Sequence, residues 1–260
     1  YYVFGYREYP SLIKGGYAAY QIDISDRPIN SPTRFSDILV CFSRKSVHAY
    51  IESIEEGGLL IHTITKLNLT EKEKKIINER SIQVEHIEAF KLAKEAGGNA
   101  LTINVLFSGV AWNILQCNKE IILEVIRDKF AAKPKFLEMD IKVFEAGYAT
   151  ELKINTSDHK LELETDHNIA SHKIIGGNET LSLGAIKAGV RALFAYPMTP
   201  ASSILSYLAK TQHKTGIAIK QAEDEITAAQ MALGAMHMGT RALTATSGGG
   251  FDLMTETVSL

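Results

Sequence analysis

Three acids in a row, Glu223, Asp224 and Glu225, lie where the apolar run "GIAIK" gives way to the small-residue stretch "EITAAQMALGA". Acids at a helix start favour the helix dipole by about 0.3–1 kcal/mol each. That accounts comfortably for one or two of them. Glu225 itself opens the predicted helix, on which Ala228, Ala229 and Ala232 permit close packing. A carboxyl held in such surroundings suits a proton donor to a ring nitrogen, or a general acid. Two further loops carry chemistry-bearing residues. In "YPMTPASS" a threonine, Thr199, stands between two prolines. Proline fixes φ and pushes the residue before it toward extended geometry, so the loop is rigid and presents one hydroxyl. Such a loop positions a substrate, or is simply a stiff turn before a helix. In "TSGGG" the glycines let backbone N–H groups approach a ligand. The run matches neither G-x-x-x-x-G-K-[ST] nor G-x-G-x-x-G, and a tight strand–helix turn is the plainer reading.

The elements around these loops explain why they belong together. "RALFAYPMTPASSILSYLAK", "TGIAIKQAEDEITAAQMALGAMHMGT" and "RALTATSGGGFDLMTETVSL" each read as strand, loop, helix. A small-residue helix precedes them in "GGNETLSLGAIKAGV", with Asn178 before it, and Ser202 or Ser203 is expected to cap the helix after "YPMTP". Three successive α/β steps predict a parallel sheet covered by helices. In such a sheet ligands gather at the carboxyl ends of the strands, which puts all three loops on one edge.

Upstream, residues 1–65 read as β-rich, with strands in "GGYAAYQIDIS", "DILVCFS" and "GGLLIHT". From Ser81 the pattern turns helical. "VEHIEAFKLAKEAG" reads as a helix closing on Gly97 and Gly98, and "ALTINVLFSGVAWNILQ" suits a buried helix or a strand. "NKEIILEVIRDKF" is an amphipathic helix capped by Asn118, with Ile121, Ile122, Val125 and Ile126 on one face. "KFLEMDIKVFEAGY" is a second. Residues 151–173 are polar and read as a linker, their three histidines (His159, His167 and His172) without ligand spacing. Lys14, the Gly15–Gly16 pair and Arg27 are capable of meeting a phosphate, although a glycine turn with solvated bases fits as well. Cys41 and Cys117 read as core thiols, forming no C-x-x-C motif.

The 260 residues are 45% hydrophobic and 22% charged, an ordinary globular composition. A net charge of -2 gives no general attraction to nucleic acid or acidic membranes. No apolar run is long enough for a membrane span, and a reducing cytosolic compartment is expected. The chain starts without Met and stops within a helical pattern, so a fragment of a longer chain is expected.

These motifs resemble the alpha subunit of the 2-oxoacid:ferredoxin oxidoreductases, in the form where a gamma domain precedes the alpha domain. "FGYREYPSLIKGGYAAYQIDISDRPINSP" looks like the gamma segment, with Asp23 where the family usually has a basic residue. "AYPMTPAS", "QAEDE" and "TATSGGGFDLMTE", in that order, look like the thiamine pyrimidine-binding domain, with Gly248, Gly249 and Gly250 where the family usually shows "TSGPG". The resemblance implies an α/β gamma domain over 1–150, the linker 151–173, and a C-terminally incomplete pyrimidine-binding domain with a parallel sheet over 174–260. It implies thiamine diphosphate, shared with a beta subunit that holds Mg²⁺ and [4Fe-4S] clusters. It also implies a 2-oxoacid as substrate, coenzyme A as acyl acceptor and ferredoxin as electron acceptor. By motif, Glu225 falls on the catalytic glutamate that hydrogen-bonds N1′ of the aminopyrimidine, and Thr199 on the loop threonine near the substrate carboxylate. Tyr196, Pro197, Met198, Thr199, Glu225, Ser247 and Gly248 fall on the cofactor-binding loops. No metal ligand is expected in this chain. Another thiamine enzyme, or a non-catalytic assembly subunit, are the rival readings.

Overall fold

Strand runs with apolar residues on both faces belong inside parallel sheets, and "GGLLIH" is such a run. In the structure, a computed structural model describing residues 1–8, 18–163, 167–169 and 171–259, it forms the middle strand of a three-stranded parallel sheet. Lys14, Gly15 and Gly16 lie outside the described residues, as does the His167 side chain. The chain divides into two units, Tyr1–Ala170 and Ser171–Leu260. Among the described residues no helix is long and apolar enough to cross a membrane.

In the first unit, β1 (Tyr2–Glu8) and β2 (Ala19–Ser25) pair antiparallel, with Tyr2 opposite Ser25 and Glu8 opposite Ala19. Then follow β3 (Ser36–Cys41), α1 (Arg44–Tyr50), β4 (Ile54–His62), α2 (Glu71–Glu79), β5 (Gln83–His86), α3 (Ala89–Glu95), α4 (Ile103–Ile114), α5 (Lys119–Phe130) and α6 (Pro134–Tyr148). The parallel order is β3-β4-β5. Side chains alternate across β4. Leu59 and Ile61 join Leu106, Val110 and Val143 from α4 and α6 on one face. Leu60 joins Cys41, Val47 and Ile51 on the other. Burial of each such Leu or Ile contributes about 1.5–3 kcal/mol. It also pushes the Cys41 thiol up to about 12.

Helices α4 and α6 approach closely at paired glycines. A Cβ on Gly109 would run into the Phe144 carbonyl oxygen, and one on Gly147 into that of Leu106. The apolar stretch around Gly109 is therefore a helix, buried along Ile103, Leu106, Phe107 and Val110.

Several expectations change here. The β-rich opening contains α1, and α2 lies in a stretch given no element. Each is short and fully buries few side chains (Val47 in α1, Glu73 in α2), so its apolar signal is weak in a charged stretch. Gln83–His86 forms β5 rather than the start of a helix, because pairing with β4 overrides local propensity. On α5 the Asn118 cap is present, accepting from the Glu120 N–H at 3.0 Å. The buried residue is Leu123, while Ile121 and Val125 are both 58% exposed. In residues 151–173, Leu152 and Ile154 pack on the first unit's core, and the Lys153 N–H donates to Glu85 at 3.0 Å. Leucine and isoleucine anchors in polar text are easily read as linker. Arg27 is exposed beside Asp26.

Glu73 stands out as a charge almost fully enclosed. Thr70 and Glu73 form a reciprocal cap on α2, Arg44 grips the carboxylate with two nitrogens (3.0 and 2.8 Å), and His48 Nδ1 lies 3.1 Å away. Burial works to raise its pKa, but the hydrogen bonds from Thr70, Arg44 and His48 together bring it down to about 2. The stabilisation is thus fully present above the ordinary value of 4.5 and is lost as pH falls toward 2. We predict that Glu73→Gln costs about 3 kcal/mol in urea unfolding at neutral pH, and that this gap closes between pH 4.5 and 2. A gap constant with pH would show that the negative charge contributes nothing.

The second unit runs α7 (Gly177–Lys187), β6 (Ala192–Ala195), α8 (Ser202–Thr215), β7 (Ala218–Gln221), α9 (Glu225–His237), β8 (Ala242–Leu243) and α10 (Gly248–Val258). The strands are parallel in the order β7-β6-β8. Leu193, Ala195, Ile204, Leu208 and Ile217 form the core. The parallel sheet with helices is as the sequence predicts. Two placements at helix starts are not. Asn178 lies inside the first turn of α7, and its amide instead donates to Pro200 O (2.8 Å) and contacts Ser203 Oγ (2.6 Å). Ser202 and Ser203 are within α8, whose N-cap is Ala201. Both hydroxyls thus start inside the helix, and no side chain caps it.

Candidate active site

Central strand β6 ends at Ala195, and the loop after it begins the site. Its carbonyl accepts from the Ala222 N–H at 3.0 Å, tying the loop after β7 to the end of β6. The rigid segment Tyr196–Pro200 follows, with a cis peptide between Thr199 and Pro200. Asn178 braces it through the Pro200 carbonyl, and the Met198 carbonyl accepts from the Ser202 N–H at 2.9 Å. Tyr196, Pro197 and Thr199 are exposed, and Met198 is half-buried.

The loop after β8 locks onto this one. Ser247 Oγ donates to the Thr199 carbonyl at 3.0 Å, and Thr246 Oγ1 contacts Met198 Sδ at 3.6 Å. The strand order thus brings the three expected loops to one edge, with the loop after β8 bonded to "YPMTPAS" and the loop after β7 bonded to the end of β6.

The acid triplet separates cleanly. Glu223 is exposed. Asp224 is the N-cap of α9 and accepts from the Thr227 N–H at 2.6 Å. Backbone and side-chain hydrogen bonds from Thr227 hold its carboxyl below the usual range. Glu225, the first residue of α9, is 5% exposed. Its side chain packs at Gly250 in the first turn of α10, where an added Cβ would collide with Thr246 Oγ1 and lie 2.6 Å from Glu225 Oε1. Among the described residues, no hydrogen bond or ion pair reaches the Glu225 carboxyl. Its oxygens are not among the sealed side-chain atoms without a partner, so they stay open to a donor that an arriving ligand brings. The positive ends of α9 and α10 flank it, an arrangement that favours negative charge.

The glycine run has one position that requires glycine. A Cβ at Gly248 or Gly249 meets nothing within 4 Å, whereas Gly250 is buried against Glu225 and Thr246. Sequence reasoning singled out Ser247 and Gly248 and missed Gly250, Thr246 and the bracing by Asn178. The run of three glycines hid which one is close-packed. An open groove of about 430 Å³ along α8 and β7, lined by Pro197, Ser202, Leu205 and Gln221 among others, includes one expected residue and neither Glu225 nor Thr199. Among the described residues no group of three or more His, Cys, Asp or Glu side chains is placed to hold a metal ion.

Comparison with known proteins bears on both units. Residues 1–150 match the family described as pyruvate ferredoxin/flavodoxin oxidoreductase, and residues 183–260 match its thiamine diphosphate-binding part. A 2-oxoacid:ferredoxin oxidoreductase subunit alpha from Sulfolobus is 29% identical over 98% of this chain and 47% of its own length. A 2-oxoglutarate oxidoreductase subunit KorA from Mycobacterium tuberculosis is 31% identical over 97% of this chain and 43% of its own. The chain spans about half the length of the curated relatives it matches. Among solved structures, a 2-oxoglutarate:ferredoxin oxidoreductase from Magnetococcus marinus, with 2-oxoglutarate, coenzyme A and succinyl-CoA bound, matches with a TM-score of 0.78 at 26% identity. It covers 97% of this chain and 43% of that one.

Proposed function

Since the chain belongs to the pyruvate ferredoxin/flavodoxin oxidoreductase family, we propose that it works as the alpha-type part of a thiamine diphosphate-dependent 2-oxoacid:ferredoxin oxidoreductase. In this reading the enzyme converts a 2-oxoacid and coenzyme A to acyl-CoA and CO₂, and passes two electrons to ferredoxin in the cytoplasm. Residues 1–150 are the gamma domain and 174–260 the pyrimidine-binding domain, joined by 151–173, whose start packs on the first unit through Leu152 and Ile154. The single observation that carries the proposal is Glu225, a buried carboxyl without a protein donor, on the same sheet edge as Thr199.

The site fits an aminopyrimidine. When bound, thiamine diphosphate supplies a nucleophilic carbon and a sink for the electrons released as CO₂ leaves. Glu225 holds a proton in common with ring atom N1′ and so sets the tautomer of the ring. The Tyr196–Thr199 segment would border the ring, held in place by the Ser247 hydroxyl on the Thr199 carbonyl. The Thr199 hydroxyl, exposed on a loop with little backbone freedom, meets the carboxylate of the oxoacid. In this reading Mg²⁺ and the [4Fe-4S] clusters are held by a beta subunit.

The reading is tested by co-purifying the full-length protein with its partner and assaying coenzyme A-dependent reduction of a viologen dye. 2-Oxoglutarate, the substrate named for several relatives, is tried first, then pyruvate and branched oxoacids. Absence of dye reduction with every oxoacid in a complex that binds thiamine diphosphate would overturn it. A second prediction concerns Thr199→Ala, which leaves the carbonyl that Ser247 uses. We expect kcat/KM for the oxoacid to fall about 10-fold or more while calorimetric affinity for thiamine diphosphate stays within about twofold. Unchanged kcat/KM would remove Thr199 from the substrate site.

A further inference from the structure

The first turn of α10 shows how the Glu225 carboxyl can be steered. Thr246 Oγ1 and Glu225 Oε1 both stand where a side chain on Gly250 would have to go. A threonine hydroxyl has one hydrogen to give. Here it is directed to Met198 Sδ at 3.6 Å, and a thioether is a weak acceptor. Beside it, the carboxylate is a strong acceptor that receives nothing from the described residues. A carboxyl that shares a proton with a ring through one oxygen has the other oxygen left to be held. Without a second contact, its terminal torsion is broad and soft.

We propose that Thr246 is a positioning residue for Glu225. Its hydroxyl turns from Met198 to the second carboxyl oxygen when the ring site is filled, and the missing side chain at Gly250 lets the two groups share that space. The inference rests on the pyrimidine-activating role proposed for Glu225. It adds a residue from a different strand–helix loop, and makes the contact between Met198 and Thr246 the resting position of a two-position hydroxyl.

The experiment uses the full-length protein assembled with its partner. Thr246→Val removes the hydroxyl at nearly constant shape, Thr246→Ser keeps it, and Gly250→Ala fills the volume. Readouts are melting temperature, thiamine diphosphate affinity by calorimetry, the near-ultraviolet circular dichroism of the bound aminopyrimidine, and steady-state kinetics. Loss of a hydrogen bond to a charged group predicts that Thr246→Val lowers kcat about 10-fold or more and weakens the dichroism band, with KM for the oxoacid held within about twofold. Thr246→Ser restores both, and Gly250→Ala reproduces the loss. A wild-type band and kcat in Thr246→Val, with the band abolished in Glu225→Gln, would overturn the role of Thr246 and leave that of Glu225 standing. A band that survives Glu225→Gln would overturn both.

Discussion

Glu225→Gln in the assembled enzyme is expected to lower kcat by at least about 100-fold, the range for losing a positioned proton-transfer group. The melting temperature should stay within about 1 °C, since the exchange leaves volume unchanged and breaks no hydrogen bond to a described residue. That combination separates two roles. Had the carboxylate been structural, like Glu73 with its clamp of Arg44, His48 and Thr70, neutralising it would have destabilised the fold. Turnover and thermal denaturation on the same preparations decide the matter. Wild-type kcat in the variant would remove Glu225 from the chemistry.

The second large effect is expected in the first unit, at the crossing of α4 and α6. Helix propensity alone predicts that Gly147→Ala stabilises by up to about 1 kcal/mol. The structure predicts the opposite sign. A Cβ there meets the backbone carbonyl of Leu106, which cannot rotate aside, so the helices must separate across a buried face. Overpacking of this kind costs about 1–3 kcal/mol, and here the obstacle is main chain, which puts the cost at the upper end. We expect a net loss of about 2 kcal/mol in urea unfolding. Gly234→Ala on α9 is the control, because its Cβ meets nothing within 4 Å and it should gain a fraction of a kcal/mol. Equal stability of Gly147→Ala and wild type would show that the helix pair yields more easily than its geometry implies.

The parts of this protein legible in sequence share one property, a local signal that tertiary packing did not reverse. The strand–loop–helix steps of the second unit were of that kind, and so were the Asn118 cap and the acid at the start of α9. The rest was hidden for identifiable reasons. Helix α2 packs only Ile76 and Ile77 on the core and is otherwise held by a buried ion cluster, so charged text concealed it. β5 became a strand because β4 offered it a ladder. On α5 the inward face is centred on Leu123, and the two exposed apolar residues drew the predicted face the wrong way. At the candidate site, type and spacing alone left Glu225 and Thr199 open, and the resemblance singled them out. Gly250 and Thr246 were not singled out, because their importance lies in what a missing side chain leaves room for.

The burial of Cys41 reaches beyond packing. The chain's two thiols, Cys41 and Cys117, both fall within the first unit, and burial raises both above the ordinary cysteine value. A thiol kept protonated and covered at neutral pH reacts with an alkylating reagent only when the structure around it opens. Cys41, enclosed between β4 and α1, therefore acts as a clock on the opening of the first unit. The second unit, which holds Thr199 and Glu225, is silent to the same reagent. The molecule thus carries its own spectator, able to report whether a change at the site is felt in the other unit without any label being introduced.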